Sequence, residues 1–163
     1  MRVIVLGIGN TIMTDEGVGV HAVEALRQEF SLPEFVQIID GGTSSMELLD
    51  DLADVDLLLV VDAVQAGKPE GTLVRLADNE VPVFFRSKLS PHQIGLSDVM
   101  ASLEFVGQFP KQMVVIGVQA ENFELGLKMT PLIESRLPGL VAMVVAELAQ
   151  HGIEALPNQL ALA

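Results

Sequence analysis

The chain has 163 residues, with 22 acidic against 9 basic side chains, a formal net charge of −13 and no Cys, Trp or Tyr. That length suits one domain, which buries roughly 70% of the surface its unfolded chain exposes. The charge excludes a phosphate-neutralising nucleic-acid face and an anionic membrane surface, and the lack of cysteine excludes disulfides, thiolate metal sites and thiol nucleophiles. Hydrophobic residues make up 50% and charged residues 19%, a balance that fits a sheet covered on both faces. No apolar run approaches the roughly 18 residues of a membrane span. The N-terminal apolar stretch, Val3 to Leu6, is too short for a signal-peptide core, so a cytoplasmic protein is expected.

Taken in chain order, short unbroken aliphatic runs alternate with helical patterns. Arg2 to Gly7, Val36 to Asp40, Asp56 to Asp62 and Met113 to Val118 read as parallel strands buried on both sides. Between the first two, Ala22, Val23, Leu26 and Phe30 share one face of a helix over Gly17 to Phe30. Met46 to Leu52 reads as a second, short helical segment, giving β-α-β-α-β over the first sixty residues. The stretch Ala63 to Glu70 is too short and too rich in Gly and Pro for a crossover helix. Gly71 to Leu76 is therefore expected to return antiparallel at a sheet edge. A loop follows from Ala77 to Leu89, in which Val81 to Lys88, with Phe84 and Phe85, is a candidate binding surface.

Ser90-Pro91-His92-Gln93 reads as a capping box opening a helix that runs to Gly107. The last helix has Thr130 as cap and Pro131 at its first position, extends to His151 before Gly152, and is expected to kink or split at Pro138-Gly139. The fold class predicted is α/β: a single three-layer domain with a mostly parallel, five-stranded twisted sheet, one antiparallel edge strand and helices on both faces. Its expected extent is residues 1–155, followed by a loosely ordered tail over 156–163.

In open α/β sheets ligands collect beyond the carboxyl ends of the parallel strands. There the chain carries Asp15-Glu16-Gly17, Asp40-Gly41-Gly42-Thr43-Ser44-Ser45, Asp62 and Glu121, with His92 opening a helix nearby. Taken singly, Asp15 and Glu16 read as helix-entry acids, Asp40 and Asp62 as turn formers, Ser44 and Ser45 as caps of the short second helix, Glu121 as a loop acid, and His21 and His151 as solvent-facing. His92 has two readings: a histidine simply packed on the first turn of its helix, or a ligand, because the positive end of a helix keeps an imidazole neutral and its free nitrogen available to Zn, Ni or Mn beside carboxylates. Gly7-x-Gly9 invites a dinucleotide reading with Asp40 on the ribose, but Ile12 stands where the third glycine should be and the helix begins several residues late. No P-loop, His-Glu-x-x-His or Gly-x-Ser-x-Gly motif is present.

Gly7-Ile8-Gly9-Asn10 with Asp15-Glu16-Gly17-x-Gly19, then Asp40-Gly41-Gly42-Thr43, Asp62-Ala63, Ser90-Pro91-His92-Gln93 and Gly117-Val118, together resemble the hydrogenase maturation endopeptidases, in particular the type that processes membrane-associated uptake [NiFe] hydrogenases. The resemblance covers Met1 to about Ala155. It implies an endopeptidase that removes the C-terminal extension of the nickel-loaded large-subunit precursor, cutting after a His or Arg just past the last nickel-ligating Cys motif. Glu16, Asp62 and His92 match the family's metal-contacting and catalytic positions, and Asp40, Gly41 and Thr43 match its substrate-selecting segment. The nickel implied is cargo of the substrate rather than a permanent cofactor, and other divalent cations can substitute for it. The implied partner is the precursor itself, with no nucleic acid or membrane, and a monomer is expected. Ala120 departs from the family's usual Pro before Glu121.

Two other classes stay open on the residues alone. One is a nucleotide- or metal-binding α/β module without proteolytic activity, and the other is a metal-independent carboxylate peptidase built on Glu16, Asp40 and Asp62.

Overall fold

In the computed structural model the described residues are 1–43, 46–82 and 91–158, with the backbone alone for 46 and 91–94. The elements in chain order are β1 (Val3–Ile8), α1 (Val18–Glu29), β2 (Phe30–Ser31), β3 (Val36–Gly42), β4 (Leu57–Val64), β5 (Leu73–Ala77), α2 (Pro91–Phe105), β6 (Gln112–Gln119), α3 (Pro131–Gln150) and β7 (Leu156–Pro157), with 3-10 turns at Thr14–Gly17 and Met46–Leu48. The main sheet has five strands in the order β3-β1-β4-β6-β5. β1, β3, β4 and β6 are parallel, whereas β5 lies antiparallel to β6 at the edge.

Every residue of β1 and β4 is buried, and the two-residue side-chain period sorts them into two cores. Val3, Val5, Leu57, Leu59 and Val61 pack beneath α1 and α3 with Val23, Leu26, Leu140 and Val144. Ile4, Leu6, Leu58, Val60 and Val64 pack beneath α2 and the 46–52 segment with Leu48, Leu52, Leu96 and Leu103. The result is the three-layer α/β arrangement expected. At the amino edge Asp56 accepts hydrogen bonds from the Arg2 backbone N–H at 2.6 Å and from Lys111 Nζ at 2.9 Å. These partners hold its carboxyl below the usual range.

Several expectations change. β4 continues two residues past Asp62, which therefore lies inside the strand rather than at its end, because Asp62, Ala63 and Val64 stay in register with Gly117, Val118 and Gln119 of β6. The connection from β3 to β4 carries a 3-10 turn over Met46–Leu48 and further turns in place of an α-helix. Residues 80–82 are helical rather than loop. The remainder of that stretch, including Phe84, Phe85, Lys88 and the cap residue Ser90, lies outside the described residues, as do Ser44 and Ser45.

α3 is not split at Pro138 but runs unbroken for 20 residues. One missing N–H is tolerated in a helix whose Ile133, Leu140, Val141, Val144 and Leu148 are buried on both sides of the proline. Its Thr130 sits at the N-cap position but makes no side-chain cap bond. Just past the end of α3, Ile153 is buried in the core beneath α1 and α3, and the start of the tail is held rather than loose. Leu156–Pro157 pair antiparallel with Phe30–Ser31. Asn158 donates from its backbone N–H to the Glu29 carbonyl at 2.8 Å and from Nδ2 to the Gln28 carbonyl at 2.8 Å. Among the described residues no helix is long and apolar enough to cross a membrane.

Candidate active site

The connection leaving β1 turns outward to β3, whereas the chain leaving β4 proceeds to β5 and β6 on the other side of the sheet. The carboxyl ends of β1 and β4 therefore flank the topological switch point, where α/β sheets open a crevice. Gly9 stands at the exit of β1 with φ +138°, a conformation that L side chains rarely adopt, and a Cβ there would collide with the Glu16 carbonyl oxygen. Its N–H donates to the Gly42 carbonyl at 2.8 Å, joining the ends of β1 and β3. The first turn of α1 comes equally close to the sheet, since a Cβ on Gly19 would collide with the Val61 carbonyl oxygen. Gly19 thus takes the helix-packing role that a dinucleotide fingerprint would give to position 12, and Ile12 is instead exposed.

These contacts bring Glu16 to the carboxyl end of β4. Glu16 lies in the 3-10 turn just ahead of α1, is 7% exposed, and donates its backbone N–H to the Met13 carbonyl at 3.1 Å. Asp62 is 0% exposed, and one of its oxygens accepts the N–H of Ala63 at 2.8 Å. Alternation along β4 sets its side chain on the same face as Val60 and Val64, the face covered by α2. Gly117 pairs with it on β6, where a Cβ would lie 2.6 Å from the Asp62 carbonyl oxygen. His92 occupies the first turn of α2, and its side chain lies outside the described residues. Among the described residues no set of three or more His, Asp or Glu is arranged to hold a metal.

Asp40 and Thr43 line a separate small cleft of about 220 Å³ with Gly9, Asn10, Thr11 and Val20. Asp40 is exposed, and its Oδ1 accepts the Gly42 N–H at 3.0 Å, which shapes the Asp-Gly-Gly turn. Gly41 does not share the cleft: it is buried, and a Cβ there would point at Leu6. A cleft of this size falls below the usual range for a drug-sized ligand, and the 3-10 turn separates β1 from the N-terminus of α1, so the geometry does not suit a dinucleotide.

Asp15 carries more of the local architecture than its sequence position suggests. It is 0% exposed, and its carboxylate accepts the N–H groups of Glu121 (3.0 Å), Asn122 (2.9 Å) and Thr130 (2.8 Å) as well as the Thr130 hydroxyl. This is why Thr130 leaves its own helix uncapped. The partners lie 106 to 115 residues along the chain, so no local pattern reveals them. Thr14, with φ +49°, is held in an unusual conformation for a β-branched residue by its hydroxyl bonds to the Asn122 and Glu124 carbonyls at 2.7 and 3.0 Å. Ala120 donates its N–H to the Val64 carbonyl at 3.3 Å, a bond that a proline there could not make.

Comparison with known proteins places this geometry in a family. The family model described as hydrogenase maturation protease matches residues 20–147. The hydrogenase 2 maturation protease of Escherichia coli (strain K12) is 46% identical over 160 residues, covering 98% of each chain. The hydrogenase expression/formation protein HupD of Thiocapsa roseopersicina is 42% identical over 156 residues, 94% of this chain and 71% of that protein. The solved structure of the hydrogenase maturating endopeptidase HybD from E. coli superposes with a TM-score of 0.93 at 46% identity, covering 97% of this chain and 98% of that one. With a family model spanning most of the length, and relatives of this identity matched over nearly the whole chain, the chain belongs to the hydrogenase maturation proteases.

Proposed function

We propose that this protein is an endopeptidase that removes the C-terminal extension from the nickel-loaded precursor of a [NiFe] hydrogenase large subunit, with Glu16, Asp62 and His92 as the residues that meet the metal and the scissile bond. The observation that carries this reading is the convergence at the β1–β4 switch point. An almost fully buried Glu16 is packed against Gly9, and a fully buried Asp62 faces the side of the sheet whose covering helix begins at Pro91-His92. Acidic side chains gathered at the crevice of an α/β sheet are the groups from which proton-transfer and metal sites are built.

The donor set suits a borrowed metal. Two carboxylates and an imidazole are borderline to hard ligands that leave coordination positions open, whereas thiolates, which this chain lacks, would retain nickel. When the precursor brings its nickel to the site, the ion supplies Lewis acidity. Glu16 or Asp62 takes a proton from the attacking water as its oxygen adds to the scissile carbonyl carbon. The C–N bond then breaks and the proton passes to the departing amine. Asp40 and Thr43, in the adjacent cleft, select the segment around the cut. On this reading the protein works in the cytoplasm, with nickel arriving as cargo and other divalent cations able to occupy the same ligands.

Incubation with nickel-loaded and nickel-free precursor tests the proposal, with processing expected of the loaded form alone. Equal processing of both would remove metal inspection from the mechanism, and cleavage of neither would remove the activity.

A further inference from the structure

Two loops at the carboxyl edge are knitted together and present aliphatic side chains outward. Thr14 donates its N–H to the Gly126 carbonyl at 3.0 Å and Gly126 returns one to the Ile12 carbonyl at 2.9 Å, forming a short parallel bridge between Met13 and Gly126. That register sets Ile12 beside Leu125 and leaves Leu125 and Leu127 on either side of Gly126. The three are 48%, 78% and 77% exposed. Exposed leucines on a loop are ordinarily isolated, but here three aliphatic side chains share one small unit that the Asp15 carboxylate pins in place.

We propose that Ile12, Leu125 and Leu127 form the surface on which the folded body of the precursor docks, outside the cleft that receives its extension. The proposal rests on the protease reading above. Continuity supports it, because Thr11, the neighbour of Ile12, lines the cleft that also holds Asp40 and Thr43, and Glu16 lies four residues beyond Ile12 in the same segment. Rigidity supports it too: a surface already held by backbone pairing loses little freedom when a partner covers it. Three side chains are far fewer than the roughly 20 to 30 residues each partner contributes to a stable interface. That scale suits a substrate released after one cut better than a permanent dimer. The partner chemistry is therefore an apolar patch on the precursor beside the base of its extension.

The test is steady-state processing of the nickel-loaded precursor by wild type and by Leu125→Gln/Leu127→Gln, with Ile12→Gln as an independent second variant. Folding is checked by thermal unfolding, and self-association by sedimentation. The double variant is expected to raise KM at least about tenfold, equivalent to about 1.4 kcal/mol of binding, while kcat at saturating precursor stays within about twofold. Ile12→Gln is expected to move KM in the same direction by a smaller factor. Unchanged KM in both folded variants would overturn the docking surface while leaving the protease reading intact. A wild-type dimer that the variants lose without any change in processing would overturn it as well. Failure of the wild type to process the precursor would instead overturn the protease reading itself.

Discussion

Asp15 and Glu16 are neighbours with different tasks, and substitution separates them. Asp15→Ala would strip the acceptor from three buried or half-buried N–H groups and a hydroxyl. It is expected to cost about 3 kcal/mol of folding stability, read as a lower denaturation midpoint, because charge-assisted hydrogen bonds left unmade cost more than neutral ones. Glu16→Gln, Asp62→Asn and His92→Ala are expected to lower processing at least about a hundredfold with cooperative unfolding retained. Wild-type turnover in any of the three would remove that residue from the mechanism. Glu16, Asp62 and His92 are proposed through the motifs that resemble the family's, since taken singly the two acids read as a helix-entry acid and a turn former. Asp15's role could not be read from the sequence, since every partner of its carboxylate lies across the fold. Nor could the burial of Asp62, which depends on β4 holding register with β6 for two further residues.

At the scale of elements, α3 is fastened to the edge strand by one charged group. Arg75 on β5 meets Glu147 in a two-point contact, Nε to Oε2 at 2.7 Å and Nη2 to Oε1 at 3.0 Å, and His151 Nε2 lies 3.3 Å from the same carboxylate. The Glu147 side chain is almost wholly buried. Hydrogen bonding to Arg75, aided by His151, holds its carboxyl below the usual 4.5, against the opposing effect of burial. A carboxyl depressed in the folded state contributes stability that is present above its unfolded value and lost as pH falls through the folded one. Thermal midpoints of the wild type are therefore expected to fall as pH drops below about 4.5. In Glu147→Gln that slope should flatten and the midpoint at neutral pH should be lower. Parallel pH profiles for the two proteins would show that this pair does not govern the acid limb. The helices and main strands were legible from aliphatic runs and helical spacing, to within one or two residues in most cases. The β2–β7 pairing was not, because two-residue strands carry no period, and neither was the Arg75–Glu147 contact, which depends on the face of α3 that turns toward β5; His151, read as solvent-facing, stands at the i,i+4 spacing from Glu147 that the sequence does display.

The molecule as a whole is a sheet with its proposed chemistry at the carboxyl edge and fastenings elsewhere. The end of α1 belongs to the fastenings: the carbonyls of Gln28 and Glu29, which have no partner inside the helix, accept hydrogen bonds from Asn158. Removing residues 156–163 is therefore expected to cost about 1 kcal/mol, seen as a thermal midpoint lower by roughly 3 °C for a chain of this size, with processing unchanged. No measurable shift would mean that the ribbon contributes nothing to stability.

The Asp15 carboxylate also bears on how the site can move. By holding the loop after β6 and the start of α3 to the turn that carries Glu16, it makes the two walls of the carboxyl edge a single body. Walls joined in this way do not fold over a bound chain as a hinged lid would. Among the described residues these two walls therefore meet the precursor as they stand, and on the proposed reading the precursor's own bulk supplies the cover on this side.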